Sequence, residues 1–422
     1  MKILWLCATA LPDANKAFGL PDDCAMTWLI ETAYAIKEQC DLYIMFPHIK
    51  LVTVKEIKIN GISYIGIPFK GKVLSEYDDS LRYIFEEKVL KIQPDIVHIC
   101  GTEFPFETIM METLHKLKIS HKSVISIQGL TSVYANSFFG FIPYDVLKKP
   151  SIGDFLRRES VFSAKEKMYK RGKFEIRTLK LAKNIIGRTD WDKAACYWIN
   201  PNIRYYSCNE SLRKSFYDYT WNKNTCKKHS IFVSQGGYPI KGLDILLKAA
   251  GLLIREYPDL EIRIAGYSVL AENNLKNKLK RRNYELYYLQ LIKELGLNNK
   301  VHFLGALSEM DMVREYCNAN VFVLPSIIEN SPNSMGEAML IGTPCVISYC
   351  GGIPQLFEHN KDGFLFQPGA YYMLAYYVKL IFDSDDITTK FSKHARMHAR
   401  TTHNLHFNTN NLLHIYSDLI KI

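Results

Sequence analysis

Short apolar runs alternate with longer segments of helical pattern along the whole chain. The runs are continuous rather than alternately apolar and polar, which is typical of strands buried on both faces of a sheet. The runs predicted as strands are residues 3–7, 42–46, 64–68, 95–100, 123–127, 184–188, 204–208, 230–234, 261–267, 301–305, 321–325, 344–348 and 363–366. Strands that alternate with helices predict parallel, doubly wound α/β sheets.

Two such domains are predicted in the 422 residues, since one domain usually holds about 150 residues. The first covers 1–210 and the second covers 229–393, with a polar, turn-rich seam at 209–228 between them. A helix over about 394–422 is expected to return to the first domain. Doubly wound sheets bind ligands at the carboxyl ends of their strands, so we expect the site in a cleft between two facing Rossmann-like domains.

The composition is that of a globular protein, with 48% hydrophobic and 23% charged residues. It excludes disordered and fibrous classes. The sequence has no run of 18 apolar residues, and its first apolar run is too short for a signal peptide. Ten cysteines form no CxxC pair, which favours a reducing compartment. These features predict a cytoplasmic protein.

The net charge of +10 is concentrated in one segment. Residues 144–183 carry twelve Lys/Arg against five Asp/Glu, with large apolar residues interleaved. Such a segment could lie on an anionic membrane, here the inner face of the cell membrane, or could be a solvated helical face. A second run, 276–282, has five basic residues in seven, and we interpret it as a solvated helix.

The most informative stretch is 321–354, VFVLPSIIENSPNSMGEAMLIGTPCVISYCGGIP. It predicts a buried strand, a polar loop and a helix that begins near Met335 and ends by Gly342. Helix N-terminal amides bind phosphate, and carboxylates such as Glu329 and Glu337 accept hydrogen bonds from sugar hydroxyls. A purely structural alternative exists, because Ser334 and Glu337 also fit a capping box and Glu329 could be a surface carboxylate.

The spacing of Glu329 and Glu337, the AMLIGTPCVIS that follows and the GGIP at 351–354 resemble the signature of family 4 retaining glycosyltransferases, the glycosyltransferase group 1 enzymes. Upstream, IFVSQGGYPIKGLDILL at 231–247 resembles the strand, basic loop and helix of that family. The resemblance covers about 140 residues of the second half. It implies the GT-B architecture.

The resemblance also implies roles for single residues. Glu329 would contact the donor sugar near the reacting face, Glu337 would hold the ribose hydroxyls, and Lys241 would neutralise the departing diphosphate. A fixed cation and aimed N–H dipoles stabilise the charge that develops on that leaving group. The other implied substrate-binding residues are Ser331, Asn333, Ser334, Met335, Gly336, Gly237, Gly19 and Arg188.

Three positions depart from the family pattern. Gln235 stands where the family has Arg, and Arg188 is a candidate replacement for that cation. Gln128 stands where the family often has His, so the resemblance implies a catalytic position. Gln cannot titrate, but it can hydrogen-bond a sugar hydroxyl. Gly19 is the sole glycine of the first loop, 11–24, where the family has a pair.

The expected activity is therefore transfer of a hexosyl group, with retained configuration and without a metal. The donor is a nucleoside diphosphate sugar, with UDP favoured over GDP. The acceptor is a glycan or lipid-linked chain in polysaccharide or glycolipid assembly, and nucleic acid is not expected as a partner. A sugar phosphorylase or epimerase on the same fold, or a non-catalytic scaffold that kept the fold, remain alternatives.

Trp191 and three histidines carry weaker signals. Trp191 could stack on a sugar or pack against a neighbouring helix. His394 and His398 stand at helical spacing, but arginines surround them and no helical Glu lies between them, which disfavours a metal site. His98 is interpreted as a hydrogen-bonded histidine at the end of a strand.

Overall fold

The structure is a computed structural model and describes residues 1–21, 26–266, 270 and 274–421. The chain divides into two compact units. Unit 1 comprises Met1–Tyr134, Met168–Arg213 and His403–Ile422, and unit 2 comprises Ala135–Lys167 and Lys214–Thr402.

Unit 1 is built on an eight-stranded sheet in the order β3-β4-β2-β1-β5-β6-β7-β8. Its strands are β1 (Lys2–Leu6), β2 (Asp41–His48), β3 (Lys55–Ile59), β4 (Ile62–Pro68), β5 (Ile96–Cys100), β6 (Ser123–Ser126), β7 (Asn184–Gly187) and β8 (Arg204–Ser207). Neighbouring strands are parallel except β3, which pairs antiparallel with β4. The strand order reverses between β1 and β5.

The helices of unit 1 connect the strands and cover the sheet. They are α1 (Pro12–Phe18), α2 (Trp28–Ile36), α3 (Leu81–Ile92), α4 (Pro105–Lys116), α5 (Thr131–Tyr134), α9 (Asp190–Ile199) and α19 (Leu405–Lys421). Helix α8 (Val161–Leu181) begins in unit 2 and ends in unit 1. Residues 3–6 of β1 have no exposed surface, as expected of a strand at the centre of a covered sheet.

Unit 2 holds a six-stranded parallel sheet in the order β11-β10-β9-β12-β13-β14. Its strands are β9 (Lys227–Val233), β10 (Glu261–Ala265), β11 (Val301–Gly305), β12 (Ala319–Leu324), β13 (Cys345–Ser348) and β14 (Gly363–Phe366). The order reverses between β9 and β12. In doubly wound sheets that reversal opens a crevice at the carboxyl edge.

The helices of unit 2 are α6 (Tyr144–Lys148), α7 (Ile152–Arg157), α10 (Ser215–Asp218), α11 (Leu243–Leu253), α12 (Leu275–Leu279), α13 (Asn283–Glu294), α14 (Glu309–Asn318), α15 (Asn333–Ile341), α16 (Ile353–Leu356), α17 (Tyr371–Asp383) and α18 (Asp385–Thr402). Short 3₁₀ turns occur at Ser120–Lys122, Ala135–Ser137 and Pro239–Lys241.

The α/β, doubly wound prediction is confirmed for both units, and each predicted strand occurs within about three residues of its expected bounds. The predicted end of the strand over 261–267 lies outside the described residues. Strand β3 was not predicted, because its sequence KEIKI is polar and mostly exposed at the sheet edge.

The units differ from the expected domains at two places. Residues 135–167, expected in the first domain, belong to unit 2. The return to unit 1 begins at His403 rather than at about 394, and α18 belongs to unit 2. The physical reason is an anchor on buried Asp362, whose Oδ1 and Oδ2 each lie 2.7 Å from Nδ1 of a histidine, His394 and His398 respectively.

Part of the expected seam packs on unit 2. Trp221 is buried, its indole Nε1 donates to the Ala319 carbonyl at 2.7 Å, and its backbone amide donates to the Ile341 carbonyl at 2.8 Å. These bonds join the segment to β12 and α15, so the division falls at 213/214, inside the expected seam.

The returning helix α19 is part of the unit 1 core. The side chain of Tyr416 is fully buried, and its hydroxyl accepts a hydrogen bond from Trp5 Nε1 at 2.9 Å. The same hydroxyl lies 2.6 Å from His98 Nδ1. One residue of α19 therefore joins β1 to β5, the two strands at which the sheet order reverses.

Candidate functional site

Two loops meet at the carboxyl edge of the unit 2 sheet, where its strand order reverses. The 3₁₀ turn Pro239–Lys241 follows β9, and the loop 325–332 follows β12. Their backbones are joined directly, since the Ile327 amide donates to the Ile240 carbonyl at 2.8 Å. The reversal point of a doubly wound sheet is where such folds bind ligands, so this is the candidate site of unit 2.

Gly242 fixes the basic turn against the end of β12. Its φ is +69°, a left-handed conformation, and a Cβ built there would lie 2.0 Å from the Pro325 carbonyl oxygen. A side chain therefore does not fit without displacing backbone. The glycine that follows Lys241 holds the two loops in close approach.

Lys241 and Glu329 form an ion pair across these loops. The lysine Nζ lies 2.6 Å from the glutamate Oε1, and the two side chains are 20% and 8% exposed. Glu329 is therefore a buried carboxylate, which removes the surface-carboxylate interpretation. A nearly buried carboxylate with one lysine partner is a group that can exchange its cation contact for a ligand.

Gly351 and Gly352 both pack against the backbone of Glu329. The φ of Gly351 is +53°, and its Cβ would lie 1.7 Å from the Glu329 carbonyl oxygen. The Gly352 amide donates to that same oxygen at 3.1 Å. The GGIP segment therefore holds the Glu329 backbone in position.

Helix α15 begins at Asn333, two residues earlier than predicted, with Pro332 at its N-cap. Ser334 lies inside the helix, so the capping-box interpretation of Ser334 and Glu337 is wrong. The amides of Met335 and Gly336 donate to the Pro332 carbonyl at 3.0 and 3.4 Å. We therefore expect the first two backbone amides of the helix, those of residues 333 and 334, to be the phosphate donors.

Glu337 and Ser331 are both polar groups in a buried environment. Tyr316, which the sequence analysis did not single out, places its hydroxyl 3.3 Å from Glu337 Oε2 and 3.1 Å from the Ser334 carbonyl. The Ser331 hydroxyl has no hydrogen-bond partner among the residues that the structure describes. A buried hydroxyl without a partner is unusual, and a ligand or water at this loop would satisfy it.

Gly237 lies in the loop after β9 and accepts a hydrogen bond through its carbonyl from the Tyr284 hydroxyl at 3.3 Å. The side chain of Gln235, which stands in place of the family's Arg, lies against Gly266 at the end of β10. The residues that follow, 267–269 and 271–273, lie outside the described part of the chain.

Cys350 lies next to this site as a neutral thiol. Burial raises the pKa of Cys350 to about 12. Its Sγ donates to the Ser326 carbonyl at 3.5 Å. A thiol that stays protonated at neutral pH is a weak nucleophile.

Unit 1 has a small cavity of about 50 Å³ at the carboxyl edge of its own sheet. It lies at the point where the strand order reverses between β1 and β5. Side chains from seven segments of the sequence line it, and the polar or aromatic ones include Trp5, His98, Ser126, Gln128, Arg188 and Glu210. The cavity brings together two residues that the sequence predicts as site residues, Gln128 and Arg188.

Glu210 joins these two residues. Its Oε2 lies 2.5 Å from Arg188 Nη1, and its Oε1 accepts a hydrogen bond from Gln128 Nε2 at 2.5 Å. Arg188 Nη2 also donates to the carbonyls of Ile127 and Gln128 at 2.9 and 3.2 Å. The Arg188 side chain is only 5% exposed, and the Glu210 carboxylate of the same unit, 14% exposed, compensates its charge.

His98 is neutral and doubly hydrogen-bonded in this cavity. Its Nε2 lies 2.6 Å from Ser126 Oγ, and its Nδ1 lies 2.6 Å from the Tyr416 hydroxyl. Burial lowers the pKa of His98 to about 3. The interpretation as a hydrogen-bonded strand histidine therefore agrees with its contacts.

A buried carboxylate cluster lies next to the end of β5. Burial raises the pKa of Glu103 and of Glu107, and it raises the pKa of Glu175 to about 7. Glu175 accepts hydrogen bonds from the amides of Thr131 and Ser132 at 2.8 and 2.9 Å. These bonds anchor α8 to the loop after β6, and no sequence motif predicts them.

The remaining candidates have structural contacts. Gly19 has a φ of +68° and ends α1. Trp191 packs with its ring 6.0 Å from that of Tyr134, consistent with the packing interpretation. His394 and His398 bind Asp362, and the described residues hold no group of three or more His, Cys, Asp or Glu side chains arranged for a metal ion.

Two functional candidates were missed from the sequence. Glu210 was placed in the seam, although it follows β8 at the same sheet edge as Gln128 and Arg188 follow β6 and β7. That position at a strand's carboxyl end was the available signal. Tyr316 lies in the last turn of α14, and no local sequence motif marks it. No helix in the described chain combines the length and apolar character that a membrane span needs.

The comparisons with known proteins agree with this geometry. Residues 216–398 match the family model described as glycosyl transferases group 1. Over 161 residues the chain is 29% identical to an uncharacterized glycosyltransferase of Haemophilus influenzae, which covers 38% of this chain and 41% of that protein. The chain therefore spans about two fifths of the length of that curated relative. These matches support the glycosyltransferase group 1 family for this part of the chain.

Solved structures show the fold over the whole chain. Sucrose-phosphate synthase from Thermosynechococcus elongatus superposes with a TM-score of 0.71 at 14% identity, covering 100% of this chain and 99% of that one. Anabaena HepE, solved in complex with UDP and glucose, superposes with a TM-score of 0.67 at 15% identity and covers 99% of both chains. The predicted GT-B fold is confirmed.

Proposed function

We propose that this protein is a retaining glycosyltransferase of family 4. It transfers a hexosyl group from a nucleoside diphosphate sugar to an acceptor hydroxyl, without a metal. The observation that carries the proposal is the Lys241–Glu329 pair at the strand-order reversal of unit 2, beside the uncapped N-terminus of α15. The family match over residues 216–398 supports the same reaction class.

Each group of the unit 2 site has a task in this reaction. Breaking the bond between the anomeric carbon and the diphosphate puts negative charge on the diphosphate. Lys241 and the first amides of α15 stabilise that charge, because fixed cations and aimed dipoles need no reorganisation during the step. Lys241 leaves Glu329 as the phosphates enter, and the freed carboxylate then accepts hydrogen bonds from the donor sugar.

The nucleoside is held by buried polar groups. Glu337, oriented by the Tyr316 hydroxyl at 3.3 Å, accepts hydrogen bonds from the ribose hydroxyls. The Ser331 hydroxyl, buried and without a partner among the described residues, donates to a phosphate oxygen. We propose UDP rather than GDP as the nucleotide, and the solved complex of Anabaena HepE with UDP supports this choice.

Unit 1 supplies a hydrogen-bonding group rather than a titrating one. Gln128, held by Glu210 and close to Arg188, hydrogen-bonds a hydroxyl of the donor sugar. The neighbouring His98 stays neutral because burial lowers its pKa to about 3. We propose a front-face displacement, with a glycan or lipid-linked acceptor in cytoplasmic polysaccharide or glycolipid assembly.

The test is a panel of nucleotides in a thermal unfolding experiment. UDP, GDP, ADP, CMP and inorganic phosphate are each added to the protein, and the melting temperature is read. A ligand that binds only the folded state at 100 times its Kd adds about 2.7 kcal/mol of stability. We expect UDP to raise the melting temperature by several degrees and phosphate alone to leave it unchanged.

The other outcomes separate the alternatives. A rise with phosphate alone would indicate the phosphorylase, and no rise with any compound would indicate the non-catalytic scaffold. Where UDP binds, the anomeric configuration of the product, read by the proton coupling constant in NMR, tests the retaining assignment. Activity that is unchanged after exhaustive chelation tests the metal-independent reaction.

A further inference from the structure

Two basic segments that are far apart in sequence form one surface of unit 2. Helix α7 packs against the end of α12, where a Cβ on Gly153 would lie 2.2 Å from the Arg281 carbonyl oxygen. Arg157 Nε donates to the Lys280 carbonyl at 3.2 Å. We define the α7–α12 surface as residues 148–158 and 274–282.

The α7–α12 surface is held firmly at both ends. The side-chain amide of Asn283 donates to the Leu147 carbonyl at 2.8 Å, and Arg282 Nη2 lies 2.6 Å from Glu159 Oε2. Ser151 Oγ caps α7 by accepting from the Asp154 amide at 3.0 Å. The surface is thus a fixed platform rather than a loosely attached excursion.

Five large apolar side chains project from this platform. Their exposed fractions are 65% for Ile152, 82% for Phe155, 55% for Leu156, 73% for Leu275 and 42% for Leu279. Single exposed apolar residues are ordinary, whereas five on two adjoining helices are typical of an interaction site.

Basic residues flank the apolar side chains along both segments. The two segments and Glu159 hold nine basic and two acidic residues. One of the acids, Asp154, accepts the Ser151 amide in the cap, and the other, Glu159, pairs with Arg282. The basic residues with exposed side chains are Lys148, Lys149, Arg158, Lys276 and Lys278.

We propose that the α7–α12 surface docks on an anionic lipid bilayer. The cations meet the headgroup charge, and the five apolar side chains enter the boundary between headgroups and acyl chains. A polyanion such as a nucleic acid would use the cations alone and would leave Phe155 and Leu275 in water. The combination of both features therefore selects the bilayer.

This surface differs from the one expected from the sequence. The basic segment 144–183 divides between the two units, and its α7 part joins the second basic run, 276–282, which the sequence analysis interpreted as a solvated helix. Helix α13 continues from this surface, and its Tyr284 hydroxyl donates to the Gly237 carbonyl of the candidate site. The docking proposal stands without the proposed transferase activity.

The test is flotation of the full chain with vesicles. Phosphatidylcholine vesicles with about 30% phosphatidylglycerol are compared with phosphatidylcholine alone, in about 50 mM and about 500 mM salt. We expect binding to the anionic vesicles at low salt, weaker binding at high salt, and little binding to phosphatidylcholine. Absence of binding to anionic vesicles at low salt would overturn the proposal.

Two double variants separate the charge from the apolar contribution. Lys276→Glu with Lys278→Glu is expected to weaken binding by at least about 30-fold, because each lysine near the lipid surface contributes roughly a factor of five. Phe155→Ser with Leu156→Ser is expected to weaken binding by at least about tenfold at unchanged charge. Thermal unfolding checks that both variants remain folded.

Matched controls come from elsewhere on the protein. Lys390→Glu with Lys393→Glu makes the same charge change on exposed residues of α18, and Trp198→Ser removes an apolar side chain that is 82% exposed on α9. Equal loss of vesicle binding in these controls would overturn the proposal. So would binding to heparin or DNA that falls in the lysine variant while vesicle binding is insensitive to Phe155→Ser with Leu156→Ser.

Discussion

The carboxyl edges of the two sheets carry candidate groups that are assembled in different ways. In unit 2 the site consists of loops held together by backbone contacts, with Gly242 and Gly351 placed where no side chain fits. In unit 1 the cavity consists of side chains, with Glu210 joining Gln128 to Arg188. The unit 2 site is encoded by short contiguous sequence motifs. The unit 1 cavity forms only when segments that are distant in sequence pack together.

The two sites also differ in how they hold a cationic side chain. Lys241 is 20% exposed and faces a single carboxylate, so its partner can be exchanged for an incoming phosphate. Arg188 is 5% exposed and is bound to a carboxylate and two carbonyls, so its charge has three partners within unit 1. We therefore expect changes in unit 2 to alter turnover and changes in unit 1 to alter stability first.

The largest expected effect is on catalysis. Lys241→Met removes the cation from the diphosphate, and kcat/KM for sugar transfer should fall by about 10²- to 10³-fold. Glu329→Gln should reduce kcat by a comparable factor, with a smaller change in UDP binding. Lys248→Met is the matched control, since Lys248 faces buried Asp244 at 3.2 Å in α11. Full activity of the Lys241 variant would refute the assigned role.

In unit 1 the expected effect is on folding. Glu210→Gln leaves the buried Arg188 charge without its carboxylate, and the free energy of unfolding should fall by about 3 kcal/mol. Denaturant unfolding measures it. Glu86→Gln, which breaks the exposed pair with Lys116, should cost less than about 1 kcal/mol. A double variant with Arg188→Met should recover part of the loss, and strict additivity would contradict the coupling.

Two glycine variants separate the effect of a close contact at the unit 2 loops from the effect of a left-handed backbone conformation. Gly242→Ala should lower stability by about 2–3 kcal/mol, because a left-handed residue gains a Cβ that contacts the Pro325 carbonyl. Gly296 has a φ of +70° with no atom within 4 Å of its Cβ position. Gly296→Ala should therefore cost only about 1 kcal/mol. Equal losses in the two variants would show that the contact is unimportant.

The smallest expected effect is a pH dependence at the α18 anchor. The hydrogen bond to Asp362 raises the pKa of His398 above its ordinary 6.5, and the neighbouring Glu358 carboxylate acts in the same direction. The stabilisation is complete below about pH 6.5 and is lost as pH rises through the raised pKa. The pKa of Asp362 is lowered from 3.8, so the anchor also weakens as pH falls through that lowered value.

His398→Gln tests that anchor. Its stability deficit against the unaltered protein should be about 1 kcal/mol or less near pH 5.5, and it should shrink towards about pH 8. Lys361, paired with Glu358, and the second histidine, His394, stay in place in both proteins. A deficit that grows with pH would contradict the assigned charge states.

Much of the fold could be predicted because burial leaves a periodic trace in sequence. The sequence of the β12–α15 segment predicts a buried strand, a polar loop and a helix, and all three occur in the structure. Strand β3 left no trace, because KEIKI lies at an edge with its side chains in water. The helix start at Asn333 was misjudged because Pro332, and not a serine, precedes it.

The contacts of the unit 1 cavity could not be predicted. Glu210 bonds residues 22 and 82 positions earlier in the chain, and no local pattern encodes such pairing. The same limit applies to α7 and α12, since a basic amphipathic segment shows its apolar residues but not the segment that packs beside it. Hydropathy reports whether a residue is buried, and it does not report against which residue.

The position of Tyr416 has a consequence for how the protein is made. Trp5 and His98 depend on the Tyr416 hydroxyl for their buried hydrogen bonds, so the β1–β5 centre of unit 1 stays incomplete while a ribosome is still translating unit 2. Unit 2, whose later segment is continuous from 214 to 402, has all its residues earlier. The nascent chain therefore holds an incomplete β1–β5 core until Tyr416 has been added, and chaperone binding is most useful in that interval.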